Sequence, residues 1–437
     1  ITKRIINEDL SAFEYVFCWL GNTDLLVSII KLMEDKMNLE HDVQEVGVQL
    51  ILVVEDGIRF YSSILPNLYK FVLKQSQEFS TEALNAHQRT LRMRGRPKIV
   101  LARTYQEAMN IYRKYQNNIL GVITDVRFPK VERGEKPLII QSSESENASY
   151  AAKYGASFID KNSKKMDVDL RRIVSDNFGF GDFVFRNPET GEEIARVRNL
   201  KELQNILFAV PAESFLYHIS RNHVSRWLYS RAMFPVAEFL KPITWSSLQD
   251  VDAHRRIIFE AIVKYRKMKN QGVVAVFKRD RFDRYSNFAR IGDGSLGGKG
   301  RGLAFIDNMV KRHPEFDEFE NARVAIPKTV VLCTDVFDEF MDTNNLYQIA
   351  LSDADDDLIL RYFLKAKLPD RLVEDFFTFF DVVKSPIAIR SSSLLEDSHY
   401  QPFAGIYNTY MIPYLDDRYE MLRMLSDAIK GVYASVY

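Results

Sequence analysis

"QLILVVEDGIRFYSSILPNLYKFVL", residues 49–73, begins as an unbroken run of β-branched and aliphatic residues. It turns polar at Glu55-Asp56-Gly57 and continues with apolar residues at three- and four-residue intervals. A continuous apolar strand followed at once by an amphipathic helix is the unit of a parallel sheet covered on both faces. The same alternation recurs downstream. "PKIVLA" (97–102), "ILGVITD" (119–125), "PLIIQSS" (137–143) and "GASFID" (155–160) read as four further strands. "TYQEAMNIYRKYQ", "ASYAAKYG" and "DVDLRRIVSDNF" read as helices between or after them. Residues 47–178 are therefore expected to form a small doubly wound α/β domain.

Polar residues sit at the carboxyl ends of these strands, where open α/β sheets place their chemistry. Glu55 and Asp56 end the first, Asp125 the third, Ser142 the fourth, and Lys161 follows the fifth. Each alone is an ordinary solvated strand end. Together they make a set of three carboxylates able to hold Mg²⁺, with a lysine and a hydroxyl to meet the oxygens of a phosphoryl group on Asp125. "ILVVED", "GVITDV", "LIIQSSES" and "GASFIDK" resemble a response-regulator receiver domain. The resemblance implies Asp125 as phosphoacceptor, Glu55 and Asp56 as Mg²⁺ ligands beside it, Ser142 as the switch hydroxyl, Lys161 as the partner lysine, and a sensor histidine kinase as partner. Two departures stand out. Asn162 follows the lysine where the family usually has proline. Only "VRFPKVERGEK" (126–136) separates the third and fourth strands, so the helix expected there is missing or replaced by a loop.

Upstream, "AFEYVFCWLGN" and "TDLLVSIIKLMEDKMN" read as a strand and a helix, and residues 1–40 look like the end of an earlier, degenerate receiver. The basic run "HQRTLRMRGRPK" (87–98) has no interleaved aromatic residues to stack bases and reads as a solvated connection. Residues 179–248 change character, with a hairpin around "NPETG" and then helices, as in a small helical linker module. His218 and His223 are five apart and do not share a helix face as paired metal ligands would; Phe215, Trp227 and Leu228 read as core.

The remaining residues, 249–437, open on a helix and then present "GDGSLGGKGRGLAFID" (292–307). This stretch is either an anion cradle, its amides and the helix dipole facing a phosphate with Lys299 adding charge, or a flexible turn before a helix. It matches neither the dinucleotide fingerprint nor the P-loop. Two later segments favour the cradle: "VAIPKTVVLCTDVFDEFM" (324–341), and "SPIAIRSSSLLEDSHYQPFAGIYNTY" (385–410), a strand ending on Arg390 and serines before a glycine-containing loop that can close on a polyphosphate. In this order the three segments resemble the nucleotide-binding domain of phosphoenolpyruvate synthase and pyruvate phosphate dikinase, an ATP-grasp-type fold, present here in its first part. The resemblance implies that Gly297, Gly298, Lys299, Gly300, Arg390, Ser391 and Ser392 contact ATP. It also implies that Ser391 to Gly405 form a lid, with Glu396 and Asp397 at its start, and that pyruvate is reached through domains beyond this stretch. His399 reads as an exposed loop residue.

Bulk composition sets outer bounds. In 437 residues, 59 basic side chains balance 59 acidic ones, so nothing global points to nucleic acid. Two cysteines, Cys18 and Cys333, offer neither a disulfide framework nor a metal site, and no apolar run is long enough for a bilayer; a cytoplasmic setting is expected. The chain begins with Ile1 and ends mid-pattern at Tyr437, as a piece of a longer protein would. The expectation is an α/β multidomain protein: a receiver-like sheet, a helical module, then an ATP-binding domain, part of an ATP-dependent phosphotransferase regulated through phosphorelay. This stretch alone is expected to bind ATP without turnover and to be able to form a homo-oligomer. The alternative is a non-catalytic signalling protein that uses both modules for binding.

Overall fold

The computed structural model describes residues 13–126, 137–243, 250–394 and 407–437. The chain forms two compact units, Ile1–Ile262 and Val263–Tyr437. Among the described residues no helix is long and apolar enough to cross a membrane.

The first unit is built on five parallel strands, β1 (Leu50–Val54), β2 (Lys98–Ala102), β3 (Ile119–Asp125), β4 (Leu138–Ser142) and β5 (Ser157–Asp160), in the order β2-β1-β3-β4-β5. This is the flavodoxin-like doubly wound order, with its switch point between β1 and β3. All five residues of β1 are buried, as a strand covered on both faces requires. Five helices flank the strands: α1 (Asp24–Val46), α2 (Ile58–Ser80), α4 (Tyr105–Tyr115), α5 (Asn147–Lys153) and α6 (Met166–Phe178), with the short α3 (Ala86–Arg94) between α2 and β2. Gly121, inside β3, has a structural reason: a Cβ there would lie 2.0 Å from the ring of Phe178, which α6 packs fully buried against the strand. The segment after Asp125, where a helix was expected to be missing, lies at 127–136, outside the described residues.

Two expectations need correction. The basic run at 87–98 is not a simple connection. Asn85 accepts the Gln88 N–H and caps α3, whose last turn carries Arg92 and Arg94 where the helix dipole favours cations. Residues 13–22 form no strand; the Cys18 N–H donates to Ser62 Oγ (2.9 Å) and the Val16 carbonyl accepts from the Tyr61 hydroxyl, so side chains of α2 take the bonds a neighbouring strand would. His218 and His223, which share no helix face, meet across a helix break. The chain breaks between α8 (Ala212–Ser220) and α9 (His223–Ser230), with Asn222 at φ 56°, and brings the two Nδ1 atoms to 2.9 Å. His218 Nε2 accepts the Arg186 N–H, so its Nδ1 carries the proton donated to His223. Burial pushes the two imidazoles down to about 4 and about 3, and both are neutral at pH 7.

The hairpin β6 (Phe183–Arg186) and β7 (Glu193–Val197), with α7 (Leu200–Ile206), α8, α9 and α10 (Phe234–Leu240), completes this unit around Phe215, Trp227 and Leu228. In the second unit, α11 (Val251–Asn270), which runs across the division, is followed by three parallel strands in the order β10 (Thr329–Leu332), β9 (Phe288–Ile291), β8 (Ala275–Val276). An antiparallel pair, β11 (Ile387–Arg390) and β12 (Thr409–Ile412), stands apart from that sheet. Helices α12 (Gly297–Arg312), α13 (Thr334–Thr343), α14 (Tyr347–Ala350), α15 (Asp356–Lys365), α16 (Arg371–Val382) and α17 (Arg418–Ala434) surround them. Val336, Phe376, Ile412, Met421 and Ile429 join α13, α16, β12 and α17 in one core.

The inward stripe of α1 reads Leu25, Ser28, Leu32, Asp35, Leu39, Val43, and Asp35 is fully buried. Its carboxylate accepts from the Arg96 guanidinium (2.6 and 3.1 Å), the Tyr69 hydroxyl (3.0 Å) and the Ile99 N–H (2.9 Å). Lys98 stands 3.7 Å away and pairs with Asp42 at 2.6 Å. Asp35→Asn removes the charge that Arg96 faces and should cost about 3–5 kcal/mol. Lys36→Ala, which breaks an exposed pair with Glu14 and a cation–π contact with Tyr15, should cost less, about 1–2 kcal/mol. Urea unfolding of the two variants measures the difference.

Candidate functional site

The parallel register sets the first site. Val54 of β1 lies opposite Ala102 and Thr124, Asp125 opposite Gln141, and Ser142 opposite Asp160, so the strand ends meet on one side of the sheet. Lys161, almost completely buried, lies with its Nζ 2.5 Å from Glu55 Oε2 and also pairs with Asp125. The ring of Phe60 lies 4.4 Å from that ammonium. Glu55 is buried as well. Its Oε1 accepts the Gly57 N–H (3.0 Å) and its Oε2 accepts Gln141 Nε2 (2.8 Å) in addition to Lys161. Burial pushes the Glu55 carboxyl above its usual range, and the Lys161 ammonium opposes the shift.

Asp56 is exposed, and oxygens of Glu55, Asp56 and Asp125 lie within 4.8 Å of one another. Among the described residues, three carboxyl groups gather around the one ammonium of Lys161. Hard oxygen donors in that arrangement suit a divalent cation of the Mg²⁺ type, which retains waters and takes one or two carboxylates. Ser142 sits beside the group rather than inside it. Its Oγ accepts the Glu144 N–H (3.1 Å) and Asn147 Nδ2 (2.9 Å), leaving its proton to donate. Gln141 and Phe60, which hold Glu55 and Lys161, were not among the residues singled out from the sequence. Gln141 was findable as a polar residue in the middle of an apolar strand.

The second site lies in the other unit. After β9 the chain enters the loop Gly292–Leu296, which is laced to the start of α13. Asp335 accepts the N–H groups of Asp293 (2.8 Å) and Gly294 (2.9 Å), and Thr334 Oγ1 accepts that of Ser295 (3.0 Å). Partial burial would raise the Asp335 carboxyl, but those N–H groups outweigh it and hold it below its usual range.

Helix α12 then starts at Gly297 and carries half-buried Lys299 in its first turn. The open amide cradle expected from Gly297, Gly298 and Gly300 is not what these groups form. The Gly298 N–H donates to the Ser392 carbonyl (2.8 Å), the Gly300 N–H to Ser392 Oγ (2.9 Å), and the Gly297 N–H to Ser295 Oγ (3.3 Å). Ser392 Oγ in turn donates to the Leu296 carbonyl (2.7 Å). Gly297, at φ 74°, has no room for a side chain, since a Cβ would lie 1.7 Å from the Ser392 oxygen.

Arg390 ends β11 with its side chain exposed, and Ser391 is buried with its Oγ accepting the Ser393 N–H (3.1 Å). Lys299 and Arg390 thus belong to two backbone segments held together through Ser392. Gly405, Glu396, Asp397 and His399 lie outside the described residues.

Residues 293–437 match the family model of the pyruvate phosphate dikinase AMP/ATP-binding domain. The match covers about one third of the chain, begins inside the loop laced to Asp335, and includes Lys299, Arg390 and Ser392. It supports ATP binding by this unit and chemistry of the kinase or phosphotransferase type. No curated protein and no solved structure matches the chain.

The close approach at Gly297 predicts that Gly297→Ala will lose at least about 2 kcal/mol of stability, from the left-handed backbone and the clash with Ser392. Gly302→Ala, in the same helix with nothing within 4 Å of a new Cβ, should gain about 0.5–1 kcal/mol. Urea titration of both variants separates the two effects.

Proposed function

We propose that this chain is the regulatory and ATP-binding part of a phosphotransferase of the phosphoenolpyruvate synthase type, a pyruvate, water dikinase, with its first unit acting as a receiver-like domain. The single observation that carries the reading is the match of residues 293–437 to an AMP/ATP-binding domain. The joining of the Lys299 and Arg390 segments supports it further.

Lys299 supplies a point charge and Arg390 a planar fork, two complementary ways to hold the oxygens of a polyphosphate. Ser391, buried beside Arg390, is a further candidate to face the nucleotide, as the resemblance implies for Gly405. Phosphoryl transfer asks the protein mainly for positioning and charge compensation, and two cations on tethered segments supply both. The resemblance to phosphoenolpyruvate synthase points to pyruvate as the final phosphoryl acceptor.

In the first unit, Asp125 is the nucleophile. One of its carboxylate oxygens attacks phosphorus, the bond from phosphorus to the donor's leaving group breaks, and that group departs with the bonding pair. Lys161 neutralises charge on the resulting acyl phosphate, and the Ser142 hydroxyl, whose proton is available, donates to a phosphoryl oxygen. Glu55, Asp56 and Asp125 would hold Mg²⁺, which supplies further compensation of phosphate charge when bound.

The alternative is a non-catalytic signalling protein. It is favoured by one observation: Glu55 already accepts bonds on both oxygens, from Lys161 and Gln141 on Oε2 and from Gly57 on Oε1, which compete with a cation for it.

Titration calorimetry with ATP tests the second unit. Lys299→Ala and Arg390→Ala should each weaken binding about tenfold or more, as expected for a lost charged hydrogen bond of about 1.5–3 kcal/mol, and unchanged affinity would sink the assignment. Beryllium fluoride with Mg²⁺ tests the first. Binding should disappear in Asp125→Ala, and a wild-type chain that fails to bind supports the non-catalytic reading.

A further inference from the structure

Of three adjacent serines, Ser391, Ser392 and Ser393, the middle one is bonded into the first turn of α12. Its carbonyl and hydroxyl oxygens together take two N–H groups from the first turn of α12, and its hydroxyl proton goes to the Leu296 carbonyl at the entry to that turn. Those bonds bracket Lys299, because Gly298 precedes it and Gly300 follows it. Ser392 is also two residues beyond Arg390 on a continuous backbone. We infer that Ser392 is a positioning residue, which fixes Lys299 relative to Arg390 so that both cations meet one polyphosphate chain.

This rests on the nucleotide-site reading above. It also gives Ser392 a role distinct from the one expected at the start, since its hydroxyl is committed to the protein on both its donor and one acceptor side. It is not free to serve as a direct phosphate donor. The glycine at 297 fits the same role: the Ser392 carbonyl approaches so closely that any side chain there would break the joint. A site held on two segments is only as well defined as the joint between them, because pre-organised charges bind without the cost of ordering them.

The test is a mutant cycle on the whole 437-residue chain, read by titration calorimetry with ATP. Ser392→Val and Ser392→Thr are nearly equal in size and differ by the hydroxyl. Ser392→Thr should stay within about twofold of wild type and Ser392→Val should weaken ATP about fivefold or more, as the loss of a positioned charge contact would. In a Lys299→Ala background, Ser392→Val should add less than about twofold, because its effect runs through Lys299.

A Ser392→Val effect that persists undiminished without Lys299, or that Ser392→Thr shares in full, is that of a purely structural residue and overturns the inference. So does ATP affinity unaltered by Ser392→Val while Lys299→Ala still weakens it, which leaves the nucleotide site standing. Lys299→Ala and Arg390→Ala both binding as wild type would instead remove the nucleotide site and this inference with it. Circular-dichroism melting of each variant keeps misfolding separate. Should Ser392→Val not fold, Ser392→Ala takes its place in the cycle with the same outcomes.

Discussion

In a parallel sheet every strand runs the same way, so every strand must end on the same side. The first unit depends on that constraint. Five apolar strands separated by long crossovers have no option but to bring Glu55, Asp56, Asp125, Ser142 and Lys161 to one edge, although up to about a hundred residues separate them. Once there, the charges must compensate one another or stay wet. The buried members, Glu55 and Lys161, pair; Asp56 remains in solvent; and Asp125, between these extremes, shares the ammonium of Lys161 while keeping some exposure. Burial and charge thereby sort three carboxylates of similar chemistry into different parts.

The second unit reaches a comparable end by another route. Its candidate cations come from two segments that are not neighbours in one sheet, Lys299 from the first turn of a helix and Arg390 from the end of a hairpin strand. No register holds them. Their relation is carried by a few hydrogen bonds and by the absence of a side chain at Gly297, where a single carbon atom would be too much. The same residues that look like a flexible glycine-rich turn when read in a line are, in the folded chain, a fitted surface.

What could be read from the residues follows from the range of the physics involved. The five strands, the helices between them and the acidic strand ends are local patterns, and the structure has them. The start of α13 near Thr334 and the hairpin around 187–191 were also visible, for the same reason. Where a residue's partner is remote, reading along the chain fails. Asn85 caps a helix just ahead of the basic run, and the stretch at 13–22 is apolar enough for a strand although side chains of α2 take backbone bonds there. His218 and His223 meet because a helix breaks between them, which no periodicity announces. Asp35 was detectable as a misplaced charge on an apolar stripe, but its partners Arg96 and Ile99 lie about sixty residues on. Ser392 was visible only as one of three like residues; its bonds to α12 depend on a fold that brings residues about ninety apart together.

The buried carboxylate of Asp35 also redraws where this protein can be divided. Along the sequence, the natural cut before the five-stranded sheet falls near Gly47, at the end of α1, where the glycine turns the chain out of the helix at φ 78°. A shorter protein starting there would keep every strand. It would also strip from the sheet the helix whose Leu25, Leu32, Leu39 and Val43 are buried there, and discard Asp35 and Asp42, the partners of Arg96 and Lys98. The covalent chain permits the division, but the apolar stripe of α1 and its ion pairs with Arg96 and Lys98 place that helix with the sheet it precedes.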